Sequence, residues 1–148
     1  MFDKTKILAI GSDHAGYKLK EFLKKKLANK GYSVKDFGCE SEKSVDYPDI
    51  IHPLARAIEN NEFEKGIIIC GSGNGAQMTA NKYRHIRAAL CWNTEMAMLS
   101  RLHNDANIIS LPARFIKSEA AIDAVIVFLN SGFEGGRHKP RVEKISNY

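Results

Sequence analysis

A thiol beside a glycine-rich loop is the stretch of the sequence best suited to chemistry. Residues 66–75 read GIIICGSGNG, so Cys70 directly precedes glycines at alternate positions, Gly71, Gly73 and Gly75. Glycine lets the backbone approach a ligand closely, and successive N–H groups can then point into one concavity at the start of a helix. The pattern predicts an anion-binding loop whose amides favour the thiolate form of the cysteine. A buried structural cysteine at the end of a strand is the competing interpretation.

The spacing of this loop differs from three familiar phosphate-binding sequences. A dinucleotide-binding loop has the pattern GxGxxG after an early strand, whereas this chain has GxGxG after the third predicted strand. A Walker loop requires GxxxxGKS or GxxxxGKT, and the chain has neither. A cysteine phosphatase resembles C-x5-R, whose arginine binds the phosphoryl group, but Ala76 occupies that position here. With these three patterns excluded, the stretch is interpreted as a thiol beside backbone hydrogen-bond donors. Its thiolate can act as a nucleophile or as a base.

Short apolar runs alternate with amphipathic stretches along the whole chain. Strands alternating with helices indicate βαβ units and a parallel sheet covered on both faces. We therefore predict an α/β fold, a three-layer α/β/α sandwich with a five-stranded parallel sheet, Rossmann-like or flavodoxin-like, in one domain, 1–148, with a basic C-terminal segment, 132–148. The predicted strands are 6–10, 32–37, 66–70, 87–92 and 107–112. The predicted helices lie near 16–30, 48–60, 75–84, 94–103 and 118–130, with Thr94 and Ser118 as N-caps of the last two.

Polar residues follow several of the predicted strands. Asp13 and His14 follow the first strand within GSDHAG, and Arg114 follows the fifth. His103 and Asn104 end the helix after the fourth strand. Ligands of open α/β sheets bind beyond the carboxyl ends of the strands. We therefore expect these residues to converge in space with the thiol.

Composition and charge limit the classes of partner. The chain has 148 residues, a formal net charge of +5 and an ordinary hydrophobic content of 44%. Its apolar runs are too short to span a membrane, and its first residues do not resemble a secretory signal, so we expect a cytoplasmic protein without membrane association. The cysteines, Cys39, Cys70 and Cys91, have neither disulfide-framework nor zinc-site spacing. The net positive charge is typical of a protein that binds a phosphorylated small molecule. A nucleic-acid-binding protein would require aromatic residues interleaved with a basic face, which we do not find in the sequence.

Five motifs, GSDHAG (11–16), DYPD (46–49), ICGSGNG (69–75), the run 88–114 and GGRHKPR (135–141), together resemble the B-type ribose-5-phosphate isomerase family. They follow the family's order over nearly the whole chain. The resemblance implies an aldose–ketose isomerase that uses neither metal nor cofactor and interconverts D-ribose 5-phosphate and D-ribulose 5-phosphate through an enediolate. The superfamily also includes galactose-6-phosphate and allose-6-phosphate isomerases, so a hexose 6-phosphate stays open as the substrate.

The resemblance also implies roles for individual residues. Cys70 would be the base that moves a proton between C2 and C1, with Ser72 beside the thiolate, and His103 would be the acid and base that opens the sugar ring. Another branch of the family uses a glutamate at the position of Ala76, so its absence here favours the cysteine. Asp13 would bind hydroxyls at the reacting end, although a turn-stabilising role is an alternative. The implied substrate-binding residues are Asp13, His14, Tyr47, Gly71, Ser72, Gly73, Asn74, Gly75, Asn104, Arg114, Arg137 and Arg141.

Phosphate binding and oligomerisation complete what the resemblance implies. Arg137 and Arg141, helped by His14, would bind the phosphate, for which the planar guanidinium is well suited. Tyr47 would reach the site from an adjacent subunit, because family members form homodimers or dimers of dimers with shared sites. Two alternatives stay open: a non-catalytic module that binds a phosphosugar or nucleotide, and a merely solvated basic tail. A binding module would have no use for both a thiol base and His103.

Overall fold

Five parallel strands form the centre of the computed structural model, which describes residues 1–147. Their order across the sheet is β2-β1-β3-β5-β4, and every residue of β3 and β5 is buried. Such continuous burial is expected where helices cover both faces of a parallel sheet. The predicted fold class is thus confirmed. The strands are β1 Ile7–Ser12, β2 Ser33–Asp36, β3 Gly66–Cys70, β4 Ala88–Leu90 and β5 Ile108–Pro112.

Helices pack on both faces of the sheet. The first, fourth and fifth contribute to one apolar cluster, and the second and third contribute to the other. The sixth helix and a 3-10 turn before it, Gly136–His138, lie in the segment for which the sequence predicted no helix. No helix in residues 1–147 is both long and apolar enough to span a membrane. The helices are α1 Tyr17–Asn29, α2 Tyr47–Glu59, α3 Asn74–Ala80, α4 Thr94–Leu102, α5 Ser118–Asn130 and α6 Lys139–Ser146.

The central strand β3 supplies side chains to both clusters. Ile67 and Ile69 pack in the cluster that includes residues of α1, α4 and α5. Ile68 and Cys70 pack in the cluster that includes residues of α2 and α3. This alternation follows from the period of two in a β-strand. It places the Cys70 side chain on the face of the sheet covered by α2 and α3.

The helix caps differ from the prediction by one residue. The N-cap of α4 is Asn93, whose side-chain Oδ1 accepts a hydrogen bond of 2.8 Å from the N–H of Met96, and Thr94 is the first helical residue. Lys117 precedes α5 without a side-chain cap, and Ser118 begins that helix. Asparagine is at least as good an N-cap as threonine, so the earlier residue takes the position in α4.

Candidate active site

Cys70 ends β3 at the carboxyl end of the sheet and is 4% exposed. Its side chain shares an apolar cluster with Ala76, which lies in the first turn of α3. The Cys70 carbonyl accepts a hydrogen bond of 2.9 Å from the N–H of Ala113, and the Gly71 carbonyl accepts one of 3.0 Å from the N–H of Arg114. These bonds attach the glycine loop to the segment that follows β5. The thiol is therefore held in a fixed position at the start of the loop.

Gly73 shapes the loop. Its φ of 77° lies in the left-handed region, and an added Cβ would collide with the side chain of Leu90. Its carbonyl accepts hydrogen bonds of 2.8 Å from the Ser110 hydroxyl and 3.0 Å from the N–H of Gln77. Only glycine satisfies this combination of conformation and space. At Gly73, therefore, the loop requires glycine for both its backbone conformation and its lack of a side chain.

Three consecutive backbone donors in the loop are free. Within residues 1–147, the N–H groups of Gly71, Ser72 and Gly73 form no hydrogen bond. The N–H of Asn74 lies 3.3 Å from the Ser72 hydroxyl oxygen, which accepts from it. Buried backbone donors are almost always paired. Gly71 and Gly73 are buried, whereas Ser72 between them is exposed, and all three lie next to a buried thiol. Their arrangement fits an oxyanion at the carboxyl end of β3.

Tyr47 and Arg114 cover the loop. A Cβ added at Gly75 would lie 2.5 Å from Tyr47 Cζ, so the phenol ring occupies the space above that glycine. A Cβ added at Gly71 would lie 3.1, 3.3 and 3.4 Å from three atoms of the Arg114 guanidinium, which therefore faces the loop. The implied contribution of Tyr47 from an adjacent subunit is not what the structure shows, because the ring packs on the loop of its own chain. The start of α2, directly after Asp46, places it there.

Asp13 and His14 follow β1 beside the thiol strand. The Asp13 N–H donates to the Ile69 carbonyl at 3.2 Å, and its Oδ1 accepts from the Gly16 N–H at 3.1 Å. Asp13 thus caps the 3-10 turn His14–Gly16, which confirms the alternative prediction that it stabilises the turn. The His14 Nδ1 lies 3.2 Å from both the N–H nitrogen and the carbonyl oxygen of Val45. Both side chains therefore stand at the carboxyl end of the sheet, with the thiol.

His103 lies in a different environment. It ends α4, where its N–H donates to the Leu99 carbonyl at 2.9 Å. Its ring stacks on His138 with centroids 4.2 Å apart and planes inclined by 12°. Glu134 Oε2 lies 3.7 Å from Nε2 of His103 and 3.6 Å from Nε2 of His138. Burial and the neighbouring His103 lower the pKa of His138 below that of a free histidine.

The contacts next to His103 show that it lies at the amino end of the sheet. Asp105 accepts a bond of 3.1 Å from the guanidinium of Arg87, which precedes β4. The Asn107 carbonyl accepts one of 3.0 Å from the N–H of Gly66, the first residue of β3. The helix α4 has nine residues, so it carries the chain back by about 13 Å from the carboxyl end. The expected convergence of His103 and Asn104 with the thiol within one chain is therefore not met.

The C-terminal arginines lie with His103. Arg137 directly precedes His138, the histidine stacked on His103, and Arg141 lies in α6. Both arginines are exposed, and neither has a carboxylate partner within the described part of the chain. Asn104 lines a groove of about 470 Å³ together with Ile145 of α6. These cationic groups are available to an anionic ligand from outside the chain.

Two residues of this region were missed by the sequence analysis. His138 is 8% exposed and packs on His103, whereas Glu134 places its carboxylate beside both imidazoles. The spacing of four residues between Glu134 and His138 was visible in the sequence, but its meaning depends on His103, which is distant along the chain. A contact of that kind has no local sequence signal.

Comparison with known proteins finds similarity along almost the whole chain. A family model described as Ribose/Galactose Isomerase matches residues 8–145. The chain is 40% identical over 141 residues to ribose-5-phosphate isomerase B of Escherichia coli (strain K12), with 95% of each chain covered. A crystal structure of a ribose 5-phosphate isomerase from Thermotoga maritima matches with a TM-score of 0.94 and 48% identity, covering 97% of this chain and 99% of that one. The Mycoplasma genitalium ribose-5-phosphate isomerase B with bound ribulose-5-phosphate matches with a TM-score of 0.91 and 38% identity, covering 96% and 95%.

Proposed function

The chain belongs to the ribose/galactose isomerase family, and we infer that it interconverts D-ribose 5-phosphate and D-ribulose 5-phosphate. It is an aldose–ketose isomerase, so the family expected from the five sequence motifs is confirmed. The observation that carries the substrate is the match to a structure that holds ribulose-5-phosphate, over nearly the full length of both chains. The cytoplasmic location expected from the sequence stays a prediction.

The reaction sets three physical requirements. The furanose ring must open, the carbon next to the carbonyl must lose a proton, and the resulting enediolate must be held until the proton returns one carbon away. Proton removal requires a base in a fixed position. The oxyanion requires fixed donors, each worth about 3 kcal/mol in comparable sites. The carboxyl end of the sheet offers a thiol and three free amides for the last two requirements.

Cys70 is the base in this proposal. Its thiolate takes the proton from C2 of the open-chain aldose, and the electron pair left on C2 forms the C1–C2 double bond of the enediolate. The thiol then returns the proton to C1 while the carbonyl forms at C2 and the hydroxyl proton passes from O2 to O1. The free amides of Gly71, Ser72 and Gly73 stabilise the negative oxygen during this interval. The arrangement of buried sulfur and adjacent amides supports this assignment.

The remaining carboxyl-end residues position the sugar. Oδ1 of Asp13 is engaged by the Gly16 N–H, which leaves Oδ2 as an acceptor for hydroxyls at the reacting end. Ser72, Asn74 and Gly75 line the loop on which Tyr47 packs. Arg114 brings a positive charge to the loop where negative charge develops. These residues would bind the open-chain substrate next to the base.

A second copy of the chain supplies the remaining groups. His103 is the acid and base that opens the ring, but it lies at the amino end, so it reaches the thiol only from another subunit. Arg137 and Arg141 lie with it and bind the phosphate, together with His14 of the receiving chain. We propose a homodimer in which the amino end of each copy meets the carboxyl end of the other. A dimer of dimers would contain the same sites.

Exposed apolar side chains support this assembly. Trp92, the second residue after β4, is 50% exposed, and Phe115 is 75% exposed after β5. Ile145 of α6 is 55% exposed and lines the groove of about 470 Å³ beside β4. Large exposed apolar side chains near a site mark interaction surfaces. Among the described residues of its own chain, the site at the carboxyl end lacks a ring-opening group and the phosphate-binding arginines. A second copy of this chain, bound at these apolar side chains, would supply both.

A substrate comparison tests the function. Purified protein is assayed with D-ribose 5-phosphate and separately with D-allose 6-phosphate, and formation of the ketose is measured under a chelator. We expect turnover of the pentose phosphate at a higher kcat/KM. Preference for allose 6-phosphate would move the assignment to a hexose phosphate, and binding of both sugars without turnover would favour the non-catalytic module.

A further inference from the structure

The segment after α5 is attached to the end of α4 at two points. The Glu134 N–H donates to the Leu102 carbonyl at 3.0 Å, and the Arg101 Nε donates to the Ser131 carbonyl at 3.2 Å. The chain then turns, with the His138 N–H donating to the Gly135 carbonyl at 2.9 Å. Two backbone hydrogen bonds and one from the Arg101 side chain therefore hold the segment that carries Glu134 and His138 against the end of α4. The fold therefore places the side chains of His103, Glu134 and His138 next to one another.

The cluster contains the donor atoms of a metal site. We propose that His103, Glu134 and His138 bind a divalent transition metal ion such as Zn²⁺. Their donor atoms all lie within 4.8 Å of one another, and the Glu134 Oε2 is 3.7 and 3.6 Å from the two imidazole Nε2 atoms. Two imidazoles and one carboxylate form a donor set that zinc and other first-row metals use, with further positions left to water or substrate.

The distances fit coordination after a limited movement. Two donors that share a tetrahedral zinc lie about 3.4 Å apart, so both carboxylate–imidazole separations are already close to that value. The imidazoles must turn, because stacked rings inclined by 12° cannot both direct their electron pairs at one ion. In the single chain, the side chains of His103 and Glu134 are 36% and 60% exposed, so no group within residues 1–147 prevents that rotation. His138 is held more firmly, with 10% of its side chain exposed.

The consequence for turnover rests on the proposed function. If His103 opens the sugar ring, a metal ion on its Nε2 removes the electron pair that accepts and donates the proton. A bound ion therefore inhibits the isomerase, and it does so at the amino end of the sheet, away from the thiol of the same chain. The binding itself does not depend on this role.

Calorimetric titration of zinc chloride into the metal-free protein tests the site. We expect one ion per chain and an affinity at least about tenfold weaker in Glu134→Gln and His138→Gln, since even residues beside a ligand change affinity by that factor. Glu143→Gln and His85→Asn remove an exposed carboxylate and an exposed imidazole elsewhere, and we expect both to bind like the wild type. Circular dichroism and thermal unfolding check that each variant is folded. Absence of binding, or equal affinity in the site variants and the wild type, would overturn the proposal.

The same zinc titration, followed by ribose 5-phosphate turnover, separates the site from the function. We expect inhibition whose midpoint shifts in Glu134→Gln by the same factor as the binding constant. Binding without inhibition would support the site and overturn the consequence drawn for His103. Inhibition that is equally strong in the variant would place the inhibitory ion elsewhere, for example on a cysteine, and overturn that consequence as well. A protein that binds zinc but never isomerises the sugar would contradict the proposed function and leave the site standing.

Discussion

The two ends of the sheet provide different kinds of chemistry. At the carboxyl end, backbone amides and a buried thiol are fixed by hydrogen bonds that involve Cys70, Gly71 and Gly73. At the amino end, exposed arginines and stacked imidazoles extend from helix ends and the C-terminal segment. Proton abstraction from carbon depends on rigid placement, whereas phosphate binding depends on accessible positive charge. One chain thus carries the two groups of residues at opposite ends of its sheet, and the proposed homodimer is the arrangement that would bring them together.

A comparison of Cys70 with Cys91 shows what distinguishes the proposed base from another buried thiol. Cys70 and Cys91 both directly follow or end a strand and are both buried. Burial raises the pKa of Cys91 to about 11, and no glycine loop follows it. Its thiol therefore stays protonated at neutral pH. Burial alone does not distinguish the two residues, but the free amides beside Cys70 do.

Removal of the Cys70 thiol should have the largest effect. For Cys70→Ala we expect kcat to fall by about 10²- to 10⁴-fold or more, because a base in the transition state is lost, while the affinity for the sugar phosphate is retained. Steady-state kinetics and a direct binding measurement give the two values. Cys91→Ala is the matched control and should keep its kcat. Unchanged turnover in Cys70→Ala would remove the thiol from the mechanism.

Mixing two inactive variants tests whether the halves come from different chains. Cys70→Ala and His103→Asn should each be nearly inactive. In their mixed dimer, one site combines the intact thiol of one chain with the intact imidazole of the other, so random exchange of subunits should restore about a quarter of the wild-type activity. The measurement is turnover after unfolding and refolding the mixture. No recovery, with mixed dimers present by native mass spectrometry, would show that the two residues act within one chain.

Arg141→Ala should weaken substrate binding to a smaller degree. We expect KM for ribose 5-phosphate to rise about tenfold, because a charge-assisted hydrogen bond to phosphate is lost, with little change in kcat. Lys139→Ala removes a neighbouring exposed charge in the same helix and should leave KM unchanged. An unaltered KM in Arg141→Ala would contradict phosphate binding by this residue and favour the alternative that the basic C-terminal segment is only solvated.

Chelation should have the smallest effect on turnover. Metal independence is what the resemblance to the B-type ribose-5-phosphate isomerase family implies, and the proposed mechanism uses only protein groups. Dialysis against a chelator should therefore not reduce activity, as measured with ribose 5-phosphate before and after treatment. Loss of activity that returns on adding a divalent metal would contradict the mechanism at both ends of the sheet.

The sequence predicted the sheet and the carboxyl-end loop well. Both depend on local patterns, since strand periodicity and glycine spacing can be read within a few residues, as in GIIICGSGNG. The location of His103 was not predicted, because it depends on the direction and length of α4 rather than on the residues near it. The helix α6 was missed because its charged sequence, KPRVEKIS, has only Val142 buried. Contacts such as that between His103 and His138 arise from tertiary structure and have no local pattern.

The guanidinium of Arg114 places a positive charge next to the residue that carries the sulfur. Its plane faces the loop at Gly71, directly beside the residue that carries the thiol. A fixed positive charge draws in negatively charged molecules and does nothing for neutral ones. Iodoacetate should therefore alkylate this cysteine faster, relative to iodoacetamide, than it alkylates glutathione. For a covalent inhibitor of this protein, an acidic group next to the electrophile should therefore increase the rate of reaction with the thiol.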